Sequence, residues 1–171
     1  GPGTLLVDPA PVGSGADFVI AAWKAAAELE PALKLAPPPP GRWPARAVAV
    51  LRNDNSFTGT AVSRLETFLE SGGTALVFVT GGAGQTRWLA EHGVALASLP
   101  EQSEPWQVHD WTLDHPLVAA LSQRRLEVLL GWDFKQGWAL PLNTLTPLAR
   151  WSETAAAIGE LRAVQGRIVL C

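Results

Sequence analysis

The stretch Thr74 to Val79 (TALVFV) runs straight into Thr80-Gly81-Gly82-Ala83-Gly84-Gln85 and then into residues of helical pattern. A continuous apolar run of strand length, a glycine turn and a helix leave few architectures open. They describe one unit of an open α/β sheet whose strand is covered on both faces. In such sheets, ligands and nucleophiles sit at this junction, beyond the carboxyl end of the strand. The junction here holds neither cysteine nor serine. The scaffold of a site is therefore more legible than a reaction.

The same pattern recurs upstream. Thr4 to Val7 is a short apolar run, followed by a loop with Pro9, Pro11, Gly13 and Gly15 and by a helical stretch from Asp17 to Glu30. Phe18, Ala22, Ala25, Ala26 and Leu29 recur there at three- and four-residue spacing, and Pro31 ends the stretch. Leu33 to Ala36 is a candidate short strand, and Pro37 to Pro40 with Gly41 reads as a stiff surface connection. Arg46 to Leu51 is a buried strand ending in the polar turn Arg52 to Ser56. A helix begins at Thr58 or Thr60, either able to cap it, with Val62, Leu65, Phe68 and Leu69 inward and Gly72-Gly73 as its stop.

After the glycine turn the spacing predicts a helix over Thr86 to His92, stopped by Gly93, and a strand over Val94 to Leu99. Beyond Pro100 the texture changes. Trp106 to Asp110, Leu126 to Leu130, Leu145 to Trp151, Ala155 to Glu160 and Arg167 to Leu170 look extended, and Leu117 to Leu121 is at most a short helix. The expectation is an α/β, Rossmann-like sheet, mostly parallel, with an antiparallel C-terminal extension formed by the closing strands.

Composition narrows the functional classes. The chain has 171 residues, 47% of them apolar and 17% charged, enough for a core, and its length predicts one domain over 1–171. A net charge of -3 and scattered basic residues exclude an electrostatic footprint for nucleic acid. The lone cysteine, Cys171, supports neither a disulfide framework nor a cysteine metal site within the chain, and reads as a structural thiol. No apolar run is long enough to span a bilayer, so no membrane insertion by this segment is expected. The absence of methionine and the Gly1-Pro2-Gly3 start suggest a piece of a longer polypeptide.

Several constellations carry possible chemistry. Thr80, Gly81 and Gly82, with Arg87 and with Asn53, Asp54 and Ser56 from the neighbouring strand end, form a candidate crevice for a small anionic ligand, since free N–H groups at a helix start favour negative charge. The alternative is that the glycines only permit a sharp turn. His109-Asp110 and Asp114-His115 offer hard or borderline metal ligands, but Asp114 also suits the cap of a helix begun by Pro116, and no metal or other cofactor is expected. Thr80 or Ser56 would need a base such as His109 to act as a nucleophile. Eight tryptophans and no tyrosine are present, and Trp106, Trp111, Trp132, Trp138 and Trp151 fall in the extended half, either as core or as a partner surface.

Three stretches resemble the class I glutamine-amidotransferase-like superfamily, its ThuA-like branch and domains of BatA-type bacterial membrane proteins. They are Ala47 to Gly73 leading into TALVFVTGG, the His-Pro loop Asp114-His115-Pro116-Leu117, and Leu148-Ala149-Arg150 with Gly166 to Leu170, similar to a closing hairpin. The resemblance implies a flavodoxin-like three-layer sandwich. It places Thr80 where active amidotransferases carry their cysteine and Gly82 at the following glycine, and no His-x-Glu pair follows, His115 being the last histidine. It therefore implies a noncatalytic module that meets a protein partner or a neighbouring domain, or senses a ligand, in a bacterial envelope protein whose parent is membrane-anchored. The alternative is a hydrolase or small-ligand-binding enzyme using the crevice, with His109 and His115 included.

Overall fold

The computed structural model describes residues 3–11, 13, 17–29, 32–119 and 131–171. The chain has a mixed α/β fold that divides into two compact units, 1–88 with 162–170, and 89–161 with 171. The stretch Leu126 to Leu130, Glu30 and the end of the helix expected at Leu117 to Leu121 lie outside the described residues.

In the first unit, β1 (Thr4–Val7), β2 (Lys34–Ala36), β3 (Val48–Leu51), β4 (Thr74–Val77) and β9 (Gly166–Leu170) pair in the order β2-β1-β3-β4-β9. All of these pairings are parallel. Their apolar runs are the reason: Leu6, Ala49, Val50, Leu51, Ala75, Val77, Ile168 and Leu170 are buried, as strands covered on both faces must be. Helix α1 (Phe18–Leu29) follows β1. Ala22 and Ala25, expected on its inner face, are exposed, and Ile20 instead packs against Leu5, Val7 and Val50.

Helix α2 (Gly59–Glu70) buries Leu65, Phe68 and Leu69, each such side chain stabilising the fold by about 2 kcal/mol. Thr58 occupies its cap position, although the hydroxyl donates to Asn55 O and makes no cap bond. The helix ends where Gly72 takes φ 92°, with Gly73 N–H donating to Phe68 O and Gly72 N–H to Leu69 O. That paired arrangement is what a left-handed glycine after a helix permits. The chain then enters β4 at once.

The last strand departs from expectation. A two-residue turn at Val164-Gln165 leads into β9, which runs parallel to β4 and completes the parallel set. Gly166 makes this possible, since a Cβ there would strike Leu69 O and lie 2.8 Å from Gly73 O.

The second unit is antiparallel. β5 (Ala97–Ser98) pairs with β6 (Trp138–Pro141), β6 with β8 (Ala155–Ala163), and β7 (Thr146–Ser152) with β8 through register shifts. The strand expected over Val94 to Leu99 shrinks to Ala97–Ser98. Trp106 and His109 make single bridges, to Phe134 and Arg150, and α4 (Pro116–Ala119) is four residues long. The core here joins Leu99, Val108, Ala149, Trp151, Ala155 and Ala157, with Trp106, Trp111 and Phe134 packed against it. No helix among the described residues is long and apolar enough to cross a membrane.

Candidate functional site

The order β2-β1-β3 reverses direction at β1, and the chemistry-bearing residues of the first unit gather at the carboxyl ends beside that reversal. Asp8 follows β1 directly and is buried. One of its oxygens, Oδ2, accepts the N–H groups of Arg52 and Asn53, both at 2.7 Å, and the Ser56 hydroxyl at 2.9 Å. Arg52 in turn donates to Asp8 O at 2.7 Å and pairs with Asp17 at 2.5 Å. Burial pushes the Asp8 carboxyl above its usual range, and outweighs the opposing pull of the Asn53 and Arg52 N–H groups, the Ser56 hydroxyl and the Arg52 charge. The hydrogen bond to Asp17 holds Arg52 above its ordinary value.

A second network closes the glycine turn after β4. Gln85 is wholly buried, and its Oε1 accepts the N–H groups of Thr80 at 2.9 Å and Gly81 at 3.3 Å while its Nε2 donates to Phe78 O at 3.0 Å. Asp54, 30 residues upstream of Gly84, accepts the N–H of Gly84 at 3.0 Å and of Gln85 at 2.8 Å. Helix α3 (Ala83–Glu91) therefore starts inside the turn, three residues before the expected Thr86, because a carboxylate from another segment caps it.

The glycines fit this occupant. Gly81 has φ 74°, as a sharp turn requires, whereas a Cβ on Gly82 would strike the Asp54 carboxylate and one on Gly84 would come within 2.6 Å of Thr58 Cγ2 and 3.1 Å of Asp54 Oδ2. Close approach by the chain's own acid is what these positions allow. Beneath the helix start, Trp88 packs on Phe57 with ring centroids 5.0 Å apart.

Of the residues expected to form the crevice, Asn53, Asp54, Ser56, Thr80, Gly81 and Gly82 lie in these networks at the strand ends of the first unit, and Arg87 is exposed on α3. The Thr80 side chain is exposed, and among the described residues no side chain hydrogen-bonds its hydroxyl. Ser56 is paired with Asp8, a residue that sequence reasoning missed. The signal was present in an acid standing immediately after an apolar strand, at its carboxyl end. Gln85, Arg52 and Asp17 were missed for a different reason: their roles depend on partners remote in sequence or on burial.

His109 and His115 belong to the second unit. His109 Nε2 lies 3.0 Å from Trp151 O and Nδ1 lies 2.8 Å from Asp110, itself at φ 52°. His115 Nε2 lies 2.6 Å from Glu160 of β8. Among the described residues, no group of three or more His, Cys, Asp or Glu side chains is arranged to hold a metal. Asp114 is exposed, and it is the His115 carbonyl that accepts from Val118 and Ala119 at the start of α4. The Cys171 thiol is pushed up to about 12 by desolvation, which leaves no thiolate at neutral pH.

Three clefts adjoin the first unit's strand ends. One of about 230 Å³ lies between Asp8, Asn53, Ser56 and the Pro37–Pro39 tract, and one of about 440 Å³ opens beside Asp8, Asp17 and Arg52. A third, of about 400 Å³, runs between α2 and the Pro40–Trp43 loop. The tract expected to be a surface connection is thus also a cleft wall.

The sequence matches no protein family and no curated protein. Solved structures do resemble it. An exo-β-1,4-mannosidase, Op5Man5 from Opitutaceae bacterium strain TAV5, superposes with a TM-score of 0.58 at 13% identity over 98% of this chain and 30% of its own. A β-galactosidase from Bacillus circulans sp. alkalophilus superposes with a TM-score of 0.50 at 10% identity over 99% of this chain and 28% of its own. The chain spans about a third of the length of each protein, and what it shares with them is the fold.

Proposed function

We propose that this chain is a noncatalytic amidotransferase-like module, built on a flavodoxin-like sheet, that binds a protein partner or a neighbouring domain of a bacterial envelope protein with a membrane-anchored parent. One observation carries the noncatalytic part. At the turn where a nucleophile and its oxyanion donors would sit, four backbone N–H groups are already taken by Gln85 and Asp54, and Thr80 has no hydrogen-bonded base. The strand order β2-β1-β3-β4-β9 matches the 2-1-3-4-5 order of flavodoxin-like sheets once β9 is counted fifth, which supports the fold part. The likeness to under a third of two longer proteins supports a module within a larger polypeptide.

For the partner, the exposed Trp132 and Leu113 of the second unit supply large apolar side chains of the kind that anchor protein contacts. Calorimetric titration of the chain with the other domains of its parent tests this. The expected result is saturable binding that Trp132→Ala and Leu113→Ala each weaken by about tenfold, about 1.4 kcal/mol. Undiminished binding by both variants would remove the surface from the proposal. Ammonia release from glutamine above the blank would remove the noncatalytic part.

A second reading, a hydrolase at the crevice, rests on the Ser56 hydroxyl donating to Asp8, a carboxyl with an elevated proton affinity. A fluorophosphonate probe that leaves Ser56 unlabelled would dispose of it.

A further inference from the structure

We infer that the proline tract at 37–40 is a recognition ridge for a protein domain whose groove is lined by aromatic rings and flanked at one end by a carboxylate. It goes beyond the partner-binding proposal and is independent of it, since Trp132 and Leu113 belong to the other unit.

Four prolines in a row leave the backbone one conformation. Each proline fixes its own φ at about -65° and forces the residue before it out of the helical region, so residues 36–39 are all extended. No peptide bond among the described residues is cis, and trans prolines wind a left-handed polyproline II helix of about three residues per turn. Pro37 and Pro40, one turn apart, therefore share an edge. Both are exposed, whereas Pro38 and Pro39 are half-buried.

The fold holds that edge outward. Trp43 is buried, packs on Phe68 with ring centroids 5.3 Å apart and donates its indole N–H to Pro39 O at 3.1 Å, and Arg64 of α2 donates to Pro40 O at 3.0 Å. A tract pinned at successive carbonyls is preorganised, so a partner meets little ordering cost. Hollows adjoin both of its ends, about 440 Å³ beside Leu35, Ala36 and Pro37 and about 400 Å³ beside Pro40, Gly41 and Arg42, which leaves room for the rims of an enclosing groove. Aromatic-lined grooves dock prolines at this i, i+3 spacing, ring face against pyrrolidine face.

Charge sets the direction of docking. The chain bends at Pro40 and Gly41, and the exposed Arg42 joins Arg64 to place two guanidinium groups at the carboxyl end of the tract, beside a hollow with no carboxylate in its lining. A carboxylate of the partner meets Arg42 there in a charge-assisted hydrogen bond and fixes which way round the tract lies. A surface connection needs stiffness alone; it needs neither an exposed proline edge nor a cation at its end.

Titration calorimetry of the whole chain with three isolated proline-recognition domains, an SH3, a WW and an EVH1 domain, tests the ridge. The expected result is saturable binding by at least one of them, at least as tight as that of a synthetic peptide of residues 35–43. Against that domain, Pro37→Ala and Pro40→Ala should each raise Kd by about tenfold, and Arg42→Gln by about threefold with a flatter dependence on salt. All three side chains are exposed, so each variant should keep the circular dichroism of the unaltered chain. Binding by the peptide but not by the chain would mean that the fold hides the tract, and overturns the inference. So does the absence of saturable heat with all three domains, or a Kd within twofold of the unaltered chain for both proline variants.

Discussion

The two units spend their distinctive residues in opposite ways. At the strand ends of the parallel unit, Asp8, Asp54 and Gln85 each satisfy two or more backbone or hydroxyl donors, so polar groups that look available in sequence are committed to tying loops together. The antiparallel unit relies instead on aromatic bulk. Trp151 is buried, with its indole N–H donating to Trp138 O, Phe134 meets it edge-on at 5.3 Å, and Trp106 and Trp111 pack alongside, while Trp132 remains 54% exposed. The lesson is that a glycine turn beside acids can be an internally filled site, and that a tryptophan-rich segment can be both core and surface.

Substitutions should break this contrast in order of size. Gly166→Ala in the parallel unit should cost about 3 kcal/mol or more, because its Cβ collides with backbone that cannot rotate away; urea unfolding reads the loss. Gln85→Ala should cost about 2 kcal/mol, since it removes the partner of the Thr80 and Gly81 N–H groups and of Phe78 O and leaves a hole where a buried side chain stood, with the same measurement. Asp54→Ala removes the α3 cap and should cost about 1 kcal/mol, with faster amide exchange at Gly84 and Gln85 than elsewhere in the helix.

Asp8 sharpens the comparison through pH. Its folded carboxyl binds its proton more tightly than the unfolded one, so its contribution is fully present below the unfolded value near 3.8 and is lost as pH rises through the raised native value. The stability advantage of the unaltered chain over Asp8→Asn should therefore be greatest in acid and shrink as pH rises through that window. In the antiparallel unit, Trp132→Ala should change stability by less than about 0.5 kcal/mol, as expected of an exposed side chain. A large loss of stability there would mean that Trp132 is part of the core.

The parallel strands were legible because they are short apolar runs closed by glycine, proline or polar turns. Thr4–Val7, Val48–Leu51 and Thr74–Val77 are found within two residues of their expected bounds. Local signals also sufficed for the end of α2, where Gly72 and Gly73 sit in the chain order that the motif demands. Distant partners defeated the rest. The start of α3 depends on Asp54, and the parallel run of β9 depends on its pairing with β4, remote in sequence. At the candidate site, Asn53 to Ser56 and Thr80 to Gly82 were readable as strand-end residues. That their hydrogen bonds were already filled was not readable, because Gln85 shows its role only when buried.

The pairing of β9 with β4 also constrains how the molecule comes into being. Residues 78–165 separate two strands that must lie side by side, so the parallel sheet cannot be finished by local steps. During synthesis the β4 edge waits, unpaired on that side, until residues 167–170 emerge. Closing so large a loop before any reward is gained slows folding. Ala75, Leu76 and Val77 therefore present an open strand edge to wrong partners in the nascent chain, and a chaperone would act first by shielding that edge.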